Sequence, residues 1–283
     1  MQNKNLVSVG IPVYNSEKTI LKSIKSILQQ SYKKIEIIVS DNNSVDRSYY
    51  ICKKLSKKDK RIKLFRQKIT IDPIKNFLFV YKKSKGNYFM WHPSHYFRSK
   101  NFIKKNLEIL KANNDIIGSC SKELFFDEVK KRKWTKFSLE GNTFDNLKIL
   151  IKNIYRSHGI FYSLYKKSKN SPANKISNYI AHDWNFCIDM ILRGKIRRIN
   201  SEYTLIGRGT STKSDYFKKT RKSFIEIFFP FYFFLKKSLK QLFNTKKLKF
   251  NEKVKIVLIL LIYLSILTLN YYKKFFKNLI FSK

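Results

Sequence analysis

The sequence predicts an α/β fold in which a mixed, mainly parallel sheet is flanked by helices and followed by a helical tail of different character. Three observations carry that reading. The first forty-six residues spell strand, turn, amphipathic helix, strand and acidic loop. Short apolar strands then keep alternating with helical patterns, the signature of parallel pairing through crossover helices. Beyond about residue 210 the strands give way to aromatic and lysine-rich segments.

Val7, Val9 and Ile11 alternate with Ser8 and Gly10, the two-residue period of a strand. After the turn Pro12-Val13-Tyr14-Asn15, the residues Ile20, Leu21, Ile24, Ile27 and Leu28 fall on one face of a helix. Asn15 or Ser16 is suited to cap it, and Glu17 favours its positive end. A second strand, Ile35 to Val39, runs into Ser40-Asp41-Asn42-Asn43-Ser44-Val45-Asp46. Ser44 or Asp46 is suited to start a Lys-rich helix reaching about Lys60, and Ile62 to Phe65 suggests a third strand. Asp72-Pro73 opens another helix that Gly86 ends, and Tyr88 to Trp91 is a short aromatic strand. A helix from Asn101 to Asn113, a strand from Ile116 to Cys120, a helix from Phe144 to Lys152 and a strand over Ser157 to Tyr165 complete the pattern.

This order sets an acidic, Asn-rich loop beside a Pro-Tyr-Asn loop at the carboxyl ends of neighbouring strands, where open α/β sheets bind ligands. It reads as a nucleotide pocket. Neither G-x-G-x-x-G nor G-x-x-x-x-G-K-[ST] occurs, so side chains must hold the nucleotide. Asp41 and Asp46 also have an ordinary reading, as a strand-end turn and a helix cap.

Sixty Lys and Arg against nineteen Asp and Glu give a net charge of +41 over 283 residues. Such a balance suggests nucleic acid or an anionic membrane as partner. The excess is spread along the chain, only eleven of the sixty are Arg, and no nucleic-acid-binding motif occurs, so specific nucleic-acid binding is not expected. Scarce acids make each loop Asp more telling. Cys52, Cys120 and Cys187 are odd in number and far apart, which argues against a disulfide framework or zinc site and fits a reducing compartment. The chain enters a strand within six residues, so no signal peptide is expected.

The stretches V-S-V-G-I-P-V-Y-N-S-E-K-T-I and I-E-I-I-V-S-D-N-N-S-V-D-R-S closely resemble the opening pattern of family 2 glycosyltransferases of the GT-A fold. The resemblance extends more weakly to about residue 207. It implies a nucleotide-sugar donor, most simply a UDP-sugar, in a site containing Pro12, Tyr14, Asn15, Glu17, Asp41 and Asn43. In that family the strand corresponding to Tyr88–Trp91 leads into an Asp-x-Asp motif whose carboxylates hold Mg²⁺ or Mn²⁺ against the donor diphosphate. Here the matching positions are Ser94, His95 and Tyr96, none acidic. Three readings follow: His92 and His95 as imidazole ligands to a transition metal, Arg98 and nearby lysines neutralising the diphosphate without metal, or a non-catalytic homologue that binds a nucleotide-sugar or glycan. Metal-free donor binding or impaired turnover is the favoured expectation, and no metal ligand is assigned.

Farther on, Ala181-His182-Asp183-Trp184 followed by Met190-Ile191-Leu192-Arg193-Gly194-Lys195 resembles the segment that carries the family's general base. That implies Asp183 as the base, with His182 and Trp184 on the acceptor side and Trp184 able to stack on a sugar face; His158 joins them through Ser157 to Tyr165, which resembles the family's acceptor-side strand. Inverting transfer needs a carboxylate opposite the leaving diphosphate to take the acceptor hydroxyl's proton. A helix cap is the alternative role for Asp183.

In the tail, Phe224 to Leu235 is aromatic and broken by Pro230, and Lys236 to Lys255 is basic. Ile256 to Tyr272 is then an uncharged run of seventeen residues. As a helix that run is about 25 Å long, just short of a hydrocarbon core of about 30 Å. The expectation is a GT-A-like domain over residues 1–210 and a membrane-associated tail over 211–283 that the domain does not need in order to fold; a buried helix closing the domain is the alternative. Function follows as sugar transfer to a glycan or lipid-linked acceptor at the cytoplasmic face of a bacterial inner membrane, with an anionic bilayer surface as partner.

Overall fold

The structure is a computed structural model that describes residues 5–125, 137–207 and 224–280. The first half has strands β1 (Val7–Val13), β2 (Ile35–Asp41), β3 (Ile62–Arg66), β4 (Tyr88–Trp91) and β5 (Tyr96–Arg98), with helices α1 (Ile20–Leu28), α2 (Ser48–Lys58) and α3 (Pro73–Lys83) between the first four. Helix α4 (Phe102–Ala112), strand β6 (Ile116–Phe125), helices α5 (Thr143–Lys152) and α6 (His158–Phe161), and strand β7 (Leu164–Lys166) follow. Then come helix α7 (His182–Arg193), strand β8 (Lys195–Ile206) and three tail helices, α8 (Phe224–Phe228), α9 (Tyr232–Asn244) and α10 (Phe250–Ile280).

All eight strands join one sheet in the order β3-β2-β1-β4-β7-β6-β8-β5. Strands β1 to β4 are mutually parallel, β7 is antiparallel to β4 and β6, β6 and β8 are parallel, and β5 closes the edge antiparallel to β8. The expected mixed, mainly parallel α/β architecture is therefore present. Pro12 lies beyond Gly10–Trp91, the last register pair of β1 with β4, so its missing N–H interrupts no β1–β4 pair. At Gly10 a β-carbon would sit 2.7 Å from Val80 of α3, so glycine lets that helix approach the sheet.

Each face of the sheet is covered. Val7, Val9, Ile11, Ile37 and Val39 pack with Ile20, Ile24 and Ile27 of α1 and Phe102 and Leu107 of α4. Across the sheet, Ile38, Phe89 and Trp91 pack with α3, α5, α6 and α7. Trp91 anchors that side: its ring stacks on Phe161 at 5.0 Å, and its indole N–H donates to the Phe77 carbonyl at 3.1 Å.

Two expectations change here. Ser157 to Tyr165 is not a strand: residues 158–161 form the short helix α6, and only Leu164–Lys166 joins the sheet. Gly159 lets α6 sit directly on Glu123 and Arg198, since a β-carbon there would meet them at 2.9 and 3.0 Å. The tail, moreover, does not stand apart from the domain. Phe234, Leu242, Ile256, Leu260, Leu264 and Leu267 belong to the same apolar cluster as Leu147, Leu150 and Ile191, and Asn185 of α7 donates to Ser238 of α9 at 2.7 Å. The apolar run buries one face because α5 and α7 leave a surface that β-strands alone do not cover.

Candidate active site

Three loops meet at the carboxyl edge of β1, β2 and β4. Several of the contacts between them run from side chain to backbone. Asn15 adopts a left-handed conformation (φ 44°); its N–H donates to Ser44 Oγ at 3.0 Å, and its Oδ1 accepts from the Val45 N–H at 3.0 Å. Asn and Asp tolerate this backbone region because their short side chains hydrogen-bond locally. Glu17 and Asp46 exchange bonds across the gap, the Glu17 N–H to Asp46 Oδ2 and the Arg47 N–H to Glu17 Oε2, each at 3.0 Å. Burial alone would raise the Asp46 pKa, but hydrogen bonds from Ser48 and the Glu17 N–H outweigh it and hold the carboxyl below its ordinary range. Asn15 and Glu17 thus shape the site by stapling its loops. Thr19, not Asn15 or Ser16, occupies the cap position of α1.

Asp41 ends β2 at the bottom of this junction, fully buried. Its Oδ2 accepts from the Ser44 N–H at 3.1 Å and lies 3.5 Å from Arg66 Nε, while Oδ1 has no hydrogen-bond partner among the described residues. A buried carboxylate oxygen without a partner is costly, and a hydrogen bond from a ligand would relieve that cost. Tyr14 and Pro12 are partly buried beside it, and Asn43, left-handed at φ 58°, forms the partly exposed tip of the loop. Arg66 was not legible in the sequence: its guanidinium also lies over the Tyr49 ring at 4.4 Å and donates to the Ser44 carbonyl at 3.2 Å. Only its place at the end of β3, beside Asp41 in register, marks it.

The loop after β4 departs from the metal-ligand reading. His92 is fully buried, with Nε2 at 2.9 Å from Ser23 Oγ of α1. Burial, and then the nearby charge of Arg98, hold its pKa well below 6.5, so it is a neutral imidazole tied to a helix. Burial likewise pushes His95 down to about 4. Ser94 Oγ donates to Ser16 Oγ at 2.8 Å and closes this loop onto the first. Among the described residues no group of three His, Cys, Asp or Glu is placed to hold a metal ion.

Arg98 points into the protein. It is 7% exposed, donates to Thr204 Oγ1 and to the Tyr162 carbonyl (3.0 Å), and stacks over Phe102 at 4.2 Å. Burial lowers its pKa to about 10. Its neighbours form an unforeseen buried cluster: Glu123 lies 3.7 Å from Arg198, and burial raises the Glu123 carboxyl against the opposing charges of Arg198, His158 and Arg98.

Asp183 sits in the first turn of α7, partly exposed, and its carboxylate has no hydrogen bond or ion pair to another described residue. It is not the helix cap; Ala181, left-handed at φ 66°, holds that position. The phenol of Tyr96, beside the β4 loop, is raised by burial first and then by Tyr162, Glu123 and, more weakly, Asp183, so the Asp183 charge is felt at this loop. His182 Nδ1 is 3.1 Å from the Tyr179 carbonyl, and His158 begins α6 beside Glu123. Trp184 is buried, stacked on Phe231 at 5.7 Å and edge-on to Tyr155 and Phe234.

The model of the family described as Glycosyl transferase family 2 matches residues 8–176, more than half of the chain. The chain belongs to glycosyl transferase family 2. An uncharacterized glycosyltransferase of Haemophilus influenzae is 34% identical over 112 residues, 40% of this chain and 45% of that protein. A Campylobacter jejuni protein named GalNAc(5)-diNAcBac-PP-undecaprenol beta-1,3-glucosyltransferase is 46% identical over 59 residues, 21% of this chain and 19% of its own length. The chain thus spans less than half the length of these relatives. Among solved structures, Staphylococcus aureus TarS 1-349 in complex with UDP-GlcNAc superposes with a TM-score of 0.71 at 18% identity, covering 92% of this chain and 72% of that one. The expected GT-A-like fold of family 2 is the fold found.

Proposed function

We infer that this family 2 protein transfers a sugar from a nucleotide-sugar, a UDP-sugar first among donors, to a glycan or lipid-linked acceptor. The reaction belongs to bacterial cell-surface polysaccharide synthesis at the cytoplasmic face of the inner membrane. The observation that carries this reading is the buried Asp41 carboxylate with Oδ1 unpartnered where the Tyr14-Asn15, Asn42–Asp46 and Ser94 loops converge. An acceptor oxygen in that position suits the N–H of a nucleobase or the hydroxyls of a ribose. Asp41 is fully covered, so a donor reaches Oδ1 by displacing a side chain; the long, 39% exposed side chain of Arg66 beside it is the group best able to yield.

Asp183 supplies the chemistry in this reading. A partly exposed carboxylate with no internal partner is free to accept the acceptor hydroxyl's proton as the oxygen attacks the anomeric carbon and the diphosphate leaves, inverting the centre. Divalent metal is usual in the family, and a mannosyltransferase from Pyrobaculum calidifontis, TM-score 0.57, was solved with GDP-Man and Mn²⁺. The described residues here do not fit one: Ser94, His95 and Tyr96 offer no carboxylate, and His92 is engaged with Ser23. No step is assigned to a metal. Support for a UDP-sugar and a lipid-linked acceptor comes from the TarS complexes with UDP and UDP-GlcNAc and from the undecaprenol-linked name of the Campylobacter relative.

The test is incorporation of radiolabelled sugar from a panel of nucleotide-sugars into lipid extracts by the purified full chain. One donor should give labelled product, and Asp183→Asn should lower turnover roughly a hundredfold or more while donor affinity stays the same. Equal turnover in the variant would remove Asp183 as the base.

A further inference from the structure

Helix α10 has two apolar faces, and among the described residues one is buried and the other exposed. Ile256, Leu260, Leu264 and Leu267 are buried in the domain core, between 0 and 7% exposed. Val254, Leu258, Leu261, Ile262, Ile266 and Leu269 follow one another at i, i+4, i+7, i+8, i+12 and i+15, a second stripe on the opposite side. They are exposed, Leu258 at 55%, Ile262 at 60% and Leu269 at 62%. Lys255 and Lys273, both exposed, bracket this stripe about five turns apart. The Tyr272 hydroxyl donates to the Phe228 carbonyl, which places the exposed rings of Phe228 and Phe229 beside the far end of the same helix.

Length and composition alone make Phe250–Lys273 a candidate membrane span. Its packing says otherwise. A spanning helix would have to drag α5 into hydrocarbon, with Asp145 and Lys148 on its surface, or strip its core-facing leucines away from Leu147, Leu150 and the rest of the cluster. Neither is needed if the helix lies flat. An apolar stripe flanked by lysines and aromatic rings is the pattern of an interfacial helix, with the charges reaching anionic headgroups and the rings at the headgroup boundary. The chain's net charge of +41 favours the same partner.

We propose that α10 lies in the plane of an anionic bilayer surface, its Leu258–Ile262–Ile266 stripe among the acyl chains and its Ile256–Leu260–Leu264–Leu267 face in the protein core. This deepens the membrane partner of the proposed function and connects it to the site. Glu226 of α8 accepts from the Ile180 N–H, and Phe231 stacks on Trp184, so the segment between the exposed Phe228–Phe229 rings and α9 is fastened to the start of the helix that carries Asp183. The bilayer surface thus bears on the acceptor side, where a lipid-linked acceptor would present its sugar.

The experiment is flotation of the full chain with phosphatidylcholine vesicles, with and without phosphatidylglycerol, in the absence of any donor or acceptor. Failure to find a sugar substrate therefore leaves its result intact. The wild type should float with phosphatidylglycerol vesicles, and L258E/I262E should lose at least nine-tenths of that binding with an unchanged circular dichroism spectrum. As an independent arm, an environment-sensitive dye on I262C should shift to the blue on adding vesicles, and alkaline carbonate should extract the wild type from cell membranes. Carbonate resistance would establish a span and overturn the proposal. Unchanged flotation of the variant, no dye shift, or a stripe covered instead by a second copy in a stable lipid-free dimer would overturn it equally.

Discussion

Asp41 and Arg66 stand side by side at the ends of β2 and β3, Oδ2 to Nε at 3.5 Å, yet the other carboxylate oxygen of Asp41 has no partner among the described residues. The pair is half of a finished salt bridge: the acid is fully buried and the base more than a third exposed. An unpaired buried acceptor costs about 1–3 kcal/mol, so a hydrogen bond from a ligand to that oxygen would be favourable. Here one oxygen anchors the loop through the Ser44 N–H, and the proposed function gives the other to the ligand.

The pH dependence of stability should carry the signature of the β4 loop. Burial holds His92 and His95 below 6.5, His95 at about 4, so both are neutral in the folded chain where the unfolded chain takes up protons. Their contribution is complete above about pH 6.5 and is lost as pH falls towards 4, at up to about 1.4 kcal/mol per pH unit for each histidine. Urea unfolding at a series of pH values should show this decline, and His95→Gln should flatten it. A variant with the wild-type slope would mean that His95 titrates normally in the fold.

The tail should behave as core on one face of α10 and as surface on the other. Leu260→Ala, at a position 1% exposed, should cost about 2–5 kcal/mol. Leu261→Ala, at 40% exposed, should stay within about 0.5 kcal/mol. A truncated chain ending before α8 should accordingly lose thermal stability, in contrast to the independent domain that the sequence suggests. Equal cost at both positions, or a fully stable truncated chain, would show that the tail helix does not dock.

The opening loops were legible because their chemistry is local. The strand periods of Val7–Val13 and Ile35–Asp41, the turn residues between them and the Asp72-Pro73 cap all act within a few residues, and Asp72 does accept from the Ile74 and Lys75 N–H groups. Strand β8 was obscured because its inward positions include Arg198, Glu202 and Thr204, polar side chains made tolerable only by distant partners such as Glu123, Arg98 and Ser99. Arg98 misled for the same reason: a guanidinium reads as solvent-facing until Phe102, Thr204 and the Tyr162 carbonyl are seen around it. In α10 apolar residues lie all round, so no period in the sequence distinguishes the face that docks on α5 from the face that does not.

Donor binding should not depend on divalent cations. With Ser94, His95 and Tyr96 where the family carries carboxylates, Mg²⁺ lacks the oxygen ligands it prefers. Affinity for the best donor, measured with EDTA and with added Mg²⁺ or Mn²⁺, should agree within about twofold, a difference of about 0.4 kcal/mol. A donor complex that forms only with metal, coordinated by this chain, would contradict the assignment.

The most direct test is calorimetric titration of the full chain and of Asp41→Asn with UDP-sugars. Asparagine keeps an acceptor for the Ser44 N–H, so the loop should hold its shape, while the charged hydrogen bond to the ligand, worth about 1.5–3 kcal/mol, is lost. A UDP-sugar should bind the wild type saturably and the variant at least about tenfold more weakly, with closely matching unfolding curves. Equal affinity in a folded Asp41→Asn protein would contradict it and place the nucleotide elsewhere.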